Sequence, residues 1–312
     1  MCKASADENI IVVASENTDS ELQTTTVAAI ERIGCRALHV SLCSYPQDTL
    51  THPFITSVLP SADFIIDLTG SFVRSSVLTE CMSDLRVLVL RCKDVRELRK
   101  LVVSSGVARR AQALERLSSS SRELKIASGA GSFLTAGLAS VQCVASTGIA
   151  SRKGEVAEWP SGIFRMVFNA QQVNGEAVFM PGDIFTGTGR VLSAPIHLEI
   201  ENGNLVEILG DSPDANFVRS HLESESDEEM AYQLTNVSLG LTLTRHHQGA
   251  VPSDQREQQA GRCSIHIGNS MALTMEKATV LFDDQFVFEL GNLSGGLQPD
   301  PYEKNALGAN SL

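Results

Sequence analysis

Ala194-Pro-Ile-His-Leu-Glu-Ile-Glu, followed by Asn202-Gly-Asn-Leu-Val-Glu-Ile-Leu, decides the architecture of the C-terminal half. Isoleucine and leucine alternate with polar residues on both sides of the dipeptide, which is the period of a strand with one wet face. Asn202-Gly203 between the two runs is the residue pair that a two-residue hairpin turn requires. The stretch therefore predicts an antiparallel hairpin, with Glu199, Glu201 and Glu207 on its solvent face. Further turn signals at Asn174-Gly175 and Pro181-Gly182 extend the same reading, and residues 151–293 are expected to form a β-rich α+β domain.

Upstream the pattern differs. Ile10–Ala14, Ala37–Leu42, Phe64–Leu68 and Arg86–Leu90 are nearly continuous in apolar character, as strands buried on both faces of a parallel sheet are. Helical stretches at Asp19–Gly34, Pro46–Leu59 and Val73–Ser83 separate them and are long enough for crossovers. Residues 1–150 thus predict an α/β domain with an open, Rossmann-like parallel sheet. A more polar stretch, Val95–Ser121, reads as a helix pair or a connector whose arginines, Arg109, Arg110 and Arg116, lie on a solvated surface. Ser128-Gly-Ala-Gly-Ser lacks the Lys-Ser/Thr of a phosphate loop and reads as a tight turn. Five acids in the seven residues Glu223–Glu229 suggest a solvated loop, and residues 294–312, rich in Gly, Pro and Asn, a flexible tail.

The formal charge of −12, from 25 basic and 37 acidic residues in 312, argues against a nucleic-acid partner, which needs a basic surface. No apolar run reaches the length of a membrane span, and the polar N-terminus carries no signal-peptide pattern, so the expected compartment is the cytoplasm. Seven scattered cysteines without a Cys-x-x-Cys pair read as reduced thiols. Neither a Gly-x-Ser-x-Gly elbow nor a His-Glu-x-x-His helix is present.

Three pieces carry a further signal: Pro160-Ser-Gly-Ile-Phe leading to Val173-Asn-Gly-Glu; Gly261-Arg-Cys-Ser-Ile-His-Ile-Gly-Asn; and Ser270-Met-Ala followed by Ala278-Thr-Val-Leu-Phe-Asp-Asp. Their order resembles the metallopeptidases of the aminopeptidase T type and the related iron-dependent 2,5-dihydroxypyridine dioxygenases. The resemblance places the metal ligands of those families at Ile163, Asn236, Arg262, Ser270 and Ala272. Divalent zinc or iron is held by imidazole, carboxylate or thiolate donors. Isoleucine and alanine have no lone pair, and arginine brings a repelling charge. The resemblance thus implies the scaffold without its metal, with no cofactor and no catalysis.

His266 and Arg262 stand an even number of residues apart in an alternating strand and fall on one face, where Arg262 would either clamp a peptide carboxylate or be an exposed strand arginine or close an internal ion pair. His246 and His247, in a stretch that reads as a surface loop, complete the candidate ligand-binding set. The expected function is that of a non-catalytic peptide-binding protein, presenting a precursor peptide to tailoring enzymes as in crocagin-type ribosomal peptide biosynthesis. The resemblance also implies a homodimer. The alternative is an active metal-dependent aminopeptidase or ring-cleaving dioxygenase, with ligands drawn from His246, His247, His266 and nearby acids.

Overall fold

The computed structural model describes residues 4–42, 57–70, 83–100, 106–168, 172–227, 230–243 and 253–307. The chain divides into two compact units, Met1–Val103 with Ser146–Ser161, and Ser104–Ala145 with Gly162–Leu312.

The first unit is the expected open parallel sheet. Strand β1 (Asn9–Ser15) is followed by helix α1 (Ser20–Ile33), β2 (Arg36–Leu42), β3 (Phe64–Asp67), β4 (Arg86–Leu90) and the short helix α2 (Val95–Lys100). Helix α1 starts where the Asp19 side chain accepts from the Leu22 N–H at 2.8 Å and stops at Gly34, which takes a left-handed conformation. After α2 the chain leaves this unit for α3 (Gly106–Ser120), β5 (Glu123–Ser128), β6 (Phe133–Gly137) and β7 (Gln142–Ser146). It then returns with β8 (Val156–Trp159), which pairs in parallel with β4 and completes a five-stranded order β2-β1-β3-β4-β8. Ile10, Val12, Phe64, Leu88 and Trp159 form the core on one side of the sheet, and Ile11, Val13, Ile65 and Val87 that on the other.

In the second unit the remaining strands are β9 (Ile163–Val167), β10 (Val173–Phe179), β11 (Ile184–Phe185), β12 (Arg190–Val191), β13 (Ile196–Glu201) and β14 (Asn204–Leu209). Helix α4 (Pro213–Glu223) precedes β15 (Leu234–Gly240), β16 (Cys263–Ile267), β17 (Met271–Met275), β18 (Ala278–Phe282), β19 (Gln285–Glu289), β20 (Asn292–Leu293) and helix α5 (Pro301–Leu307). They make an eight-stranded sheet, β14-β13-β10-β6-β5-β18-β19-β20, and a seven-stranded sheet, β12-β11-β17-β16-β15-β9-β7. One apolar core takes Ile126, Leu134, Phe179, Leu198 and Val280 from the first sheet and Phe164, Met166, Leu239, Ile265 and Leu273 from the second. β13 and β14 are the predicted hairpin, and Asn202 and Gly203 both have positive φ (49° and 73°), as its turn demands.

Three expectations are corrected. The boundary does not fall at residue 150: residues 104–145 belong to the second unit, because Val107, Ala111 and Leu114 of α3 and Leu124 and Leu134 of β5 and β6 bury in its core. Residues 294–307 are not a flexible tail. Leu297 is buried, and Glu303 of α5 is fully enclosed against Arg110 of α3 at 2.8 Å, so Arg110 is not on a solvated surface, while Arg109 beside it stays partly exposed. No described helix is long and apolar enough to cross a membrane.

Candidate functional site

Strict alternation gives the seven-stranded sheet two unlike faces. Phe164, Met166, Val237, Leu239, Ile265, Ile267 and Leu273 enter the core. The residues between them therefore share the opposite face. Register then fixes three rows across the strands. Val167, Asn236, His266 and Ala272 lie opposite one another, next to Arg165, Ser238, Ser264 and Thr274. Beyond these come Ile163 and Gly240, with the Gly240 N–H donating to the Arg262 carbonyl. Four of the five positions singled out by motif, Ile163, Asn236, Arg262 and Ala272, thus belong to one patch about three rows deep. Ser270, one further step along β17, turns away to Glu225, which accepts from its hydroxyl at 2.7 Å and from the Asn269 and Ser270 N–H groups. That fixes part of the acidic stretch expected to be a solvated loop.

A hydrogen-bonded cluster occupies the middle of the patch. Glu257, in the 3-10 turn Ser253–Gln258, reaches over β15 and places Oε1 2.8 Å from His266 Nε2. Gly240 lets it do so: a Cβ there would stand 2.1 Å from the Gln259 carbonyl oxygen and 2.6 Å from that of Glu257. Ser238 Oγ lies 3.1 Å from the same His266 nitrogen, donates to Asn236 Oδ1 and accepts from Arg165 Nε at 3.3 Å. Burial pushes the Glu257 carboxyl upward, but the hydrogen bond and charge of His266, with Arg165 and Ser238, outweigh it and leave the group below the usual carboxylate range. Glu257 is thus a carboxylate at neutral pH, and the His266 proton facing it is on Nε2. A serine–histidine–acid relay needs the hydroxyl and the carboxylate on different ring nitrogens. Here both converge on Nε2, so the cluster holds His266 in place without activating Ser238. Behind it Ser264, Thr274 and Thr186 form a buried chain of hydroxyls with contacts of 2.7 and 2.6 Å.

Of the readings open for Arg262, the structure shows the internal ion pair and not an open guanidinium. Its Nη1 donates to Glu276 Oε1, just past the end of β17, at 2.7 Å, an internal ion pair that offsets the charge a ligand carboxylate would meet. His246 and His247 lie outside the described residues. Arg165, Ser238 and Glu257 were not singled out from the sequence. Arg165 was legible, since Ile163-Phe-Arg-Met-Val puts it on the face of Ile163; Glu257, inside the polar run Gln255–Gln259, gave no signal.

These residues do not fit a divalent iron or zinc. Ile163 and Ala272 offer no donor, Arg262 a spent positive charge, and Ser270 a hydroxyl bound to Glu225. His266 and Glu257 are closed on each other, with the Arg165 charge beside them. Among the described residues no three of His, Cys, Asp and Glu come together as a metal site would require.

The family model described as NicX, 2,5-dihydroxypyridine 5,6-dioxygenase, matches residues 1–281. The chain belongs to this family. Within the 2,5-dihydroxypyridine 5,6-dioxygenase family it is 24% identical over 249 residues to the enzyme of that name from Pseudomonas putida, a match covering 75% of this chain and 70% of the relative. The solved structure of 2,5-dihydroxypyridine dioxygenase from Pseudomonas putida superposes with a TM-score of 0.77 at 20% identity, covering 94% of each chain, and so shares the fold.

Proposed function

We propose that the chain takes a small oxygenated aromatic ring, the kind of compound its family is named for, onto the polar face around His266, and binds it without opening it. The observation that carries this reading is the donor set: the positions that resemble the family's metal ligands hold Ile163, Asn236, Arg262, Ser270 and Ala272, while His266 is committed to Glu257 at 2.8 Å. Ring opening by dioxygen in this setting relies on a metal held by three or four donors with oriented partners around them. The relatives are named for a ring and not for a peptide, so the peptide-holding role finds no support from them.

The second reading is an active ring-cleaving dioxygenase, and the family match over residues 1–281 favours it. In that case His266 and Glu257 would part, and His246 and His247 would supply further donors. Protein purified without chelator separates the two. The binding reading expects no stoichiometric metal after dialysis, heat on titration with 2,5-dihydroxypyridine, and no oxygen uptake when ferrous iron is added. One retained iron per chain with oxygen uptake would establish the dioxygenase.

A further inference from the structure

We infer that Arg165 makes this face selective for an aromatic ring bearing a carboxylate. The inference rests on the ring-binding reading above and adds the chemical class of the ring. Arg165 is half-buried in the middle of β9, and its Nε donates to Ser238 Oγ at 3.3 Å. Its two terminal nitrogens make no hydrogen bond, and no carboxylate lies within ion-pair distance, among the described residues. Comparable arginines of this chain are used up: Arg86 closes on Glu8, Arg110 on Glu303 and Arg262 on Glu276, while Arg219 spans the carbonyls of Ile208 and Gly210. A planar fork of N–H donors with its inner nitrogen anchored is shaped for the two oxygens of a carboxylate, and partial burial strengthens that contact.

The surroundings supply the rest of the ligand's outline. Ile163 and Val167 flank Arg165 on the same strand and face, and Ala272 closes the row of His266 with a small apolar side chain. Of the positions where the resembled families place metal ligands, Ile163 and Ala272 are hydrocarbon, and Ile163 stands two residues from Arg165 on the same face. Such a surface suits the flat face of a ring on one of the two side chains, Ile163 or Val167, with its carboxylate on Arg165 beside it. The Glu257 carboxylate, near enough to feel the Arg165 charge, disfavours ligands with two negative charges.

Calorimetric titration at pH 7 with 5-hydroxypyridine-2-carboxylate and with uncharged 3-hydroxypyridine tests this. Wild type is expected to hold the carboxylate at least about tenfold more tightly. Arg165→Gln should weaken the carboxylate by about ten- to a hundredfold and leave 3-hydroxypyridine within about twofold. Arg165→Lys, which keeps the charge without the fork, should fall between and serves as the reading if the glutamine variant does not fold by circular dichroism. Equal affinities in wild type, or a carboxylate preference that survives Arg165→Gln, would overturn the assignment of Arg165 while leaving ring binding in place. If neither ring binds, both readings fall.

Discussion

At Arg262 a single side chain separates two roles, because its guanidinium is bound to Glu276 at 2.7 Å. The Glu276 carboxylate is partly exposed and can rehydrate, so Arg262→Ala is expected to cost about 1 kcal/mol in urea unfolding and to leave ring titrations unchanged. A loss of ligand affinity with unchanged stability would return Arg262 to the site. Asp214 carries the clearest pH dependence. Burial raises its pKa, but the Ser193 hydroxyl and N–H, Arg190 and the Ala194 N–H together hold it down to about 2 from 3.8. A carboxyl with a depressed native pKa binds fewer protons folded than unfolded, so its contribution is full above the unfolded value and drains away as pH falls from 3.8 towards 2. Asp214→Asn should therefore lose about 2–4 kcal/mol at pH 7 and show a flatter decline in melting temperature between pH 4 and 2 than wild type. Parallel declines would remove Asp214 from the acid response.

Strand β16 shows how element-level patterning makes the site. Its isoleucines face the core and its polar residues face the other side of the sheet, and this much was legible from Ser264-Ile-His-Ile alone. The same alternation set the hairpin Ile196–Leu209, whereas the parallel strands of the first unit were legible as nearly continuous apolar runs, because burial on both faces removes the period. What alternation does not encode is which distant segment lies over the polar face. Glu257 meets His266 because the backbone of residues 257–259 runs against Gly240, an encounter settled by tertiary packing. Likewise the Arg262–Glu276 pair depends on the register of β16 against β17, so a motif comparison saw the lost donor and missed its new partner. Gly240→Ala is the test at this scale: it should cost about 2–4 kcal/mol and shift the His266 ring resonances as Glu257 is pushed away. A variant with native stability and unshifted resonances would show that the turn does not depend on that close approach.

Across the molecule, the fully buried pair of Arg110 and Glu303 joins α3 to α5, with Arg110 Nε also donating to the Leu241 carbonyl at 3.0 Å. Removing one buried charge strands the other, so Glu303→Ala should cost about 3–5 kcal/mol by chemical denaturation, whereas Arg110→Met with Glu303→Leu should recover most of it. A mild effect of the single variant would mean that Arg110 finds water or another acceptor. The two units are also interleaved along the gene. Strand β8 completes the parallel sheet only after the chain has delivered β5 to β7 to the other unit, where β5 pairs with β18 and β6 with β10. No single cut can then yield two self-sufficient halves: a product ending at residue 150 lacks β8 and carries β5 and β6 without those partners. Dissection by gene fragments calls for two junctions, with residues 1–103 spliced directly to 146–161, and only that spliced product should give a sheet that survives on its own.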